Sequence, residues 1–469
     1  MEFWQGGSIL TVLIIAGLLL GCELLARVVP GLRRLGVPLA IIAGVLGLVL
    51  SQQVLGLFAL DAEILESIVY HGLGILFISL SLRTAPTRTQ AAEPGSPPTL
   101  EPKRRRPGLA MGFAITTGLI LQAIVALLVI LVLYPDLHPG FALLVPMGFE
   151  EGPGQALALG TAWEASGLRD GAQLGLIFAA IGYGWAVVIG IPLAIIGRRR
   201  GWLSATAKAE SSQREVVELA APDPGGLDQL SVQLALVGVT YLLTYFVCLG
   251  LATLFAFDPG LAATAWGFHF IFGAVVALGV KAVVKHAPGG DPIDSHLMGR
   301  VGGLTVDVVT CAALAAIQIA VFKAYFVPIL LASSLAGVVT VVFCLWIGRR
   351  TWREADAPFE HTILWFGMST GTLPTGLALL KVIDPDLRTP ASTSAVKGSA
   401  WAIAGVAPLL LVLVPATVKA YGLGWPGSGW LMLGMWSADF IVLMLLWRLF
   451  GGLRFRRPLA ALWPGPEQP

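Results

Sequence analysis

The sequence predicts an all-α polytopic membrane protein. It is built as an inverted-topology repeat of 5+5 transmembrane helices, each half carrying a re-entrant hairpin, with an extra C-terminal helix that brings the spans to eleven. Three observations predict this. Of 469 residues, 56% are hydrophobic and 12% charged, against about 25% charged in a soluble domain. The apolar residues gather into runs of roughly 20, the length that crosses a bilayer core. Two stretches, 140–165 and 359–383, break that pattern at equivalent places in the two halves.

The runs follow in order. The first half, 1–196, holds Ser8–Ala26, Val37–Phe58, Ile64–Leu82, Gly108–Tyr134 and Ala172–Ile196. Pro38 sits near the start of the second run, where a missing N–H costs no helical bond. Between the third and fourth lies Arg83–Pro107, rich in Pro, Thr and basic residues, which reads as a disordered loop. A polar linker, 197–229, separates the halves. The second half, 230–421, holds Leu230–Phe255, Ala262–Val284, Met298–Phe322, Phe326–Ile347 and Ala400–Tyr421. The last run, Gly429–Phe450, and a basic tail complete the segment 429–469.

Orientation comes from lysine and arginine. With the N-terminus outside and the C-terminus inside, cytoplasmic loops carry 24 Lys and Arg and the opposite side three: Arg169, Lys323 and Lys419. The first five spans then start outside and the next five inside, so the two hairpins enter from opposite faces. Such a repeat is common in secondary transporters. A faint sequence echo supports it: Pro153-Gly-Gln-Ala-Leu-Ala-Leu and Pro374-Thr-Gly-Leu-Ala-Leu-Leu stand 221 residues apart.

Composition excludes other classes. A net charge of +2 leaves no nucleic-acid footprint. Cys22, Cys248, Cys311 and Cys344 lie inside apolar runs, with no metal-ligand spacing and no disulfide framework. The first run lacks a basic leader and a small-residue cleavage site, so no cleavable signal peptide is expected. No cofactor is expected. Zinc-protease, serine-hydrolase and similar motifs are missing, which argues against an embedded enzyme. Half-helices in an inverted repeat argue against a simple channel.

The first break, Pro146–Trp163, reads PMGFEEGPGQALALGTAW. Its apolar pieces are about two turns each, near 10 Å, too short to span. Broken backbone at membrane depth survives only inside protein or along a cavity. The second break, FEHTILWFGMSTGTLPTGLALLKVI, has the same order of small residue, proline and short apolar helix. The residues before each proline leave free N–H groups at a helix start, which suits a carboxylate. Candidate solute contacts are therefore Gly152, Gly154, Gln155, Thr370, Gly371, Thr372 and Thr375. Freed carbonyls and hydroxyls, including Ser369, suit a hard cation. The competing reading is a kinked helix pair with packing glycines.

Three carboxylates stand out. Glu150 and Glu151 are either solvated at an aqueous mouth or serve as a cation ligand or proton carrier. Asp307 lies about 12 Å into its span, where carboxylates are costly and usually functional. It is a candidate for cation coupling, with sodium held by Asp307, Ser369 and Thr370, or for substrate contact; a structural bond to a neighbouring helix is the alternative. Gln122 and Gln318 read as hydrogen-bond links between helices. His71 and His269 read as satisfied packing residues.

At these residues the chain resembles the bacterial sodium/glutamate symporter family. The match is strongest over GFEEGPGQALALGTAWEASGLRDGAQLGLIFAAIGYGWAVVIGIPLA and FGMSTGTLPTGLALL, with GVPLAIIAGVLGLVL at the second span, and covers about residues 8–420. The resemblance implies sodium-coupled uptake of glutamate or a related small organic anion by an elevator-like homodimer in the bacterial inner membrane. Glu150-Glu151 and Asp307 depart from the family pattern. These departures open an alternative: a cation- or proton-coupled carrier of another amino acid or organic acid.

Overall fold

The computed structural model describes residues 7–29, 32, 37–83, 107–204, 207, 227–286, 291–352, 357–385, 387–408, 414–455 and 463. Most of the loop 83–107 and most of the linker 197–229 lie outside the described residues. Among the described residues there is no strand beyond one isolated bridge, Ser51 to Phe58. The protein is an all-α polytopic membrane protein: nine described helical segments are long and apolar enough to cross a bilayer, among them Gly171–Arg199 taken across a π turn and Pro358–Ile383 taken across a kink.

The first half contains α1 (Gly7–Val28), α2 (Leu39–Leu50), α3 (Ala62–Leu82) and α4 (Pro107–Leu133). The first break follows as α5 (Gly140–Pro146), a π-helical turn (Met147–Glu151) and α6 (Pro153–Glu164). Then come α7 (Gly171–Trp185), a second π turn (Ala186–Gly190) and α8 (Ile191–Arg199). The second half contains α9 (Gln229–Leu254), α10 (Pro259–Gly267), α11 (His269–Val284), α12 (Ser295–Ala315), α13 (Ile319–Ala324) and α14 (Phe326–Trp352). The second break is α15 (Pro358–Ile383), followed by α16 (Ala391–Pro408), α17 (Val414–Gly422) and α18 (Gly427–Phe450).

Several starts are capped as the sequence dictates. Asp61, Asp228 and Asp294 each accept two backbone N–H bonds at the head of α3, α9 and α12. Such a cap satisfies donors that a helix leaves free.

The expected runs need three corrections. The second run forms only the 12-residue α2 before a turn at Ser51. The seventh run divides at Phe268 into α10 and α11. The eighth run, expected to be continuous from Met298 to Phe322, stops at Ala316, and Gln318 is extended. Neither proline nor glycine causes that last break. The Gln53 side chain donates to Ile317 O and accepts from Ile319 N, at 2.8 and 2.9 Å, and Gln173 accepts from Gln318 N at 2.8 Å. Side-chain amides thus replace helical bonds at the interruption.

Packing pairs elements of one half with those of the other. α3 lies along α12 and α4 along α14; α2 packs on α12 as α11 packs on α3. α4 and α15 are the most enclosed of the long helices, while α1, α9 and α18 turn most of their surface outward. Without a hydrophobic drive between helices in lipid, close packing and hydrogen bonds hold such a bundle. Glycine makes the approach possible: a Cβ on Gly44 of α2 would fall 2.8 Å from Cys311 O of α12.

His71 and His269 are bonded within this packing. His71 Nδ1 pairs with the Tyr241 hydroxyl at 2.7 Å, and the His269 ring nitrogens meet Trp266 O and Tyr70 O, both at 3.0 Å. Gln122 links helices as expected, donating to Thr340 Oγ1 and to Ser369 O at 3.0 and 2.8 Å.

Candidate functional site

The first break begins where Pro146 ends α5. The chain widens into the π turn, and Gly152 leaves the helix at φ 93°, ψ −179°. Only glycine adopts that conformation cheaply. Pro153 then opens α6 at its first position, where its missing N–H is harmless.

The second break repeats this geometry inside α15. Gly371 (φ −173°, ψ 29°) and Thr372 (φ 72°, ψ 171°) are non-helical, and Pro374 follows in the first turn of the returning half. Thr372 therefore holds nearly the conformation of Gly152, but with a branched side chain. Such a residue carries about 1–3 kcal/mol of strain, and such strain clusters at functional sites.

The two breaks touch. A Cβ built on Gly152 would overlap Thr372 Cγ2 and lie 3.9 Å from Thr372 Cβ. α7 supports both: a Cβ on Gly182 would sit 2.7 Å from Thr370 O and 3.0 Å from Phe149 Cα. Any side chain there would push the breaks apart.

A cavity of about 610 Å³ opens against the second break. Thr372, Pro374, Thr375 and Lys381 form one wall, Tyr183 and Arg198 another, and Asp307 and Thr310 of α12 a third. Its size falls in the range of small-molecule sites, about 300–1,000 Å³. The start of the returning half-helix faces it, with two cationic side chains and one carboxylate in the lining. That balance suits a small anion.

Of the expected contacts, Thr372, Thr375 and Asp307 line this cavity. Gly152 is buried at the tip contact, and Gly154 packs against Leu73 of α3. Gln155 is buried and donates to Glu151 Oε2 at 3.3 Å. Thr370 is fully buried and donates to Phe366 O of its own helix at 2.8 Å. Gly371 is packed among Thr375 and Tyr183. Ser369 and Thr370 do not share the cavity wall with Asp307, so the structure does not assemble those three around one point there.

Glu150 is not solvated. It is 7% exposed, and neither carboxylate oxygen finds a hydrogen-bond partner among the described residues. Glu151, next to it, is partly exposed. Ser369 Oγ and Trp365 Nε1 gather with Glu150 Oε2 around Gly118 of α4, and Gln122 lies one turn further along that helix; Ser369 Oγ, Trp365 Nε1 and Gln122 Oε1 are each buried and likewise without a partner.

Sequence reasoning passed over Tyr183, Arg198, Thr310 and Lys381 as lining residues. Arg198 entered only through the total of cytoplasmic Lys and Arg. Its helical register, with Ile191 and Ile195 on the same face, was the available signal.

Comparison of the chain with family models, with curated proteins and with solved structures returns no match in any of the three.

Proposed function

We propose that the protein is a secondary active transporter that carries glutamate or a related small organic anion in symport with sodium. It works by alternating access with an elevator-like motion. The observation that carries this reading is the meeting of two broken helices, Gly152 against Thr372, beside a cavity whose lining is cationic on balance. Discontinuous helices that meet in an inverted repeat are the common site design of such carriers.

Several further observations support the parts of the proposal. Reciprocal packing of α2 on α12 and α11 on α3 supports the 5+5 repeat. In the N-out arrangement of eleven spans, the ends bearing Arg198 and Lys381 are cytoplasmic, and the cavity is then the inward-facing solute path. The anion's carboxylate docks at the N–H groups of the returning half-helix near Thr372 and Thr375, with Arg198 and Lys381 drawing it in. Asp307 faces the opposite charge of the solute, an ammonium, or the coupling sodium. Hard oxygen ligands at the breaks suit that ion. Residence in a bacterial inner membrane and a homodimeric state belong to the same proposal and rest on the family resemblance.

The test is uptake into proteoliposomes. Labelled glutamate accumulates under an inward sodium gradient and not when potassium replaces sodium. Equal uptake in both salts defeats the sodium assignment. Competition by a panel of amino and organic acids identifies the preferred anion.

A further inference from the structure

The Glu150 cluster lies outside the cavity and outside the solute contacts. Its carboxylate is carried by the π turn, two residues before Gly152. Ser369, three residues before Thr372, approaches it from the other break without meeting hydrogen-bond geometry. Both breaks therefore contribute to the cluster directly behind their point of contact. Gly118 of α4 marks its centre: a Cβ there would lie 3.3 Å from Ser369 Oγ, 3.4 Å from Trp365 Nε1 and 3.5 Å from Glu150 Oε2. Ser369 and Trp365 are fully buried and Gln122 is 1% exposed.

The charge balance of this cluster is unusual. The titratable groups facing Glu150 are Glu151 on its own turn and the Cys344 thiol of α14. Tyr183 is the titratable residue that α7 presents at the breaks. Gln122 of α4, and Ser369 and Trp365 of α15, are neutral. None of these groups is a cation. An ionised carboxylate buried without a counter-charge is strongly disfavoured, and the group takes up a proton instead. The neighbouring atoms suit a neutral acid: the Ser369 hydroxyl can accept from its O–H, and the Trp365 N–H can donate to its C=O.

We infer that Glu150, enclosed by Ser369, Trp365 and Gly118 behind the contact of the two breaks, is a buried proton-binding site loaded in this arrangement. Resting on the transport reading, the site adds a proton to the coupled ions. When the breaks part, the Glu150 O–H gives its proton to water of the opened path and the carboxylate remains. The carboxylate takes a proton from water on the other face before the breaks close again. One proton then accompanies each cycle, and no other reactant is consumed.

Two measurements test this on the full-length chain. The first is infrared difference spectroscopy of the purified protein at neutral pH in sodium buffer. A protonated-carboxyl C=O band is expected, and Glu150→Gln removes it. Absence of a band that E150Q removes overturns the site, whether or not the protein transports anything. The second uses proteoliposomes loaded with a pH-sensitive dye and given labelled glutamate. The wild type acidifies the lumen in step with uptake, and E150Q loses that acidification. Gly118→Ala keeps the carboxyl but fills the space beside it, and proton entry per glutamate falls. Acidification per glutamate that is the same in the wild type, E150Q and G118A overturns the coupling role. Failure of the wild type to move solute under any gradient strikes the transport reading alone, since the infrared band reports on Glu150 independently.

Discussion

Replacing Gly152 with alanine tests the tip contact from both of its sides. Two costs add. The backbone at φ 93°, ψ −179° charges a non-glycine residue about 1–3 kcal/mol. The new methyl also overlaps Thr372 Cγ2, and overpacking of that kind costs about 1–3 kcal/mol. Thr372→Ser removes Cγ2 while keeping Cβ and the hydroxyl, so it relieves the second cost and leaves the first. The double variant should therefore be less damaged than the sum of the singles, by about 1–3 kcal/mol of coupling. The assay is the apparent Tm of all four proteins in one detergent, at one heating rate because unfolding of such proteins is commonly irreversible. Initial rates of uptake are measured alongside. Additive effects in both readouts would refute the reasoning, because they would mean that the two breaks do not touch.

Three further outcomes follow from the same geometry. Arg198→Gln and Lys381→Gln each raise KM for an anionic solute about two- to fivefold, in line with about 0.2–1 kcal/mol for an exposed charge. They leave a neutral analogue unaffected, and equal changes for both solutes would contradict the anion site. Asp307→Asn alters KM for sodium or the preference between solutes with and without an ammonium group; unchanged kinetics for all of them would remove Asp307 from the site. His138, in the loop before α5, is buried and its Nδ1 accepts from Gly140 N at 3.0 Å. Burial pushes its pKa down to about 4 from the usual 6.5. The folded protein then binds the proton less well than the unfolded chain. The His138 contribution to stability is full above about pH 6.5 and is lost as pH falls toward 4, by up to about 3 kcal/mol. His138→Gln should flatten the apparent Tm over that range, and an unchanged slope would contradict the assignment.

Much of the helical order was legible because membrane spans announce themselves by length and composition. The first break was legible for the opposite reason: Glu150-Glu151-Gly-Pro-Gly cannot continue an apolar helix. The second was legible through Gly371 and Pro374. The position of strain was not. Gly152 advertises a positive φ, whereas its counterpart is Thr372, and nothing local marks a threonine as left-handed. The interruption at 316–318 was hidden for a different reason. ALAAIQIA has good helix formers throughout, and it is the distant Gln53 amide that satisfies the interrupted backbone. The burial of Glu150 was equally invisible. Adjacent glutamates at a loop-like break look solvated until α4 and α15 close over one of them. Arg198 served in the sequence as a topology marker and Lys381 only closed the second break, and only the fold places them on one cavity.

The proposed transport requires that the two breaks meet and that their contact belongs to the solute path. The separation of 3.9 Å between Thr372 Cβ and a Cβ at position 152 matches that of disulfides, about 3.5–4.5 Å. In a background where Cys22, Cys248, Cys311 and Cys344 are replaced, Gly152→Cys with Thr372→Cys should cross-link under mild oxidation. Glutamate uptake should stop as the bridge forms and return on reduction. Failure to cross-link, or full uptake by the cross-linked protein, would contradict the account.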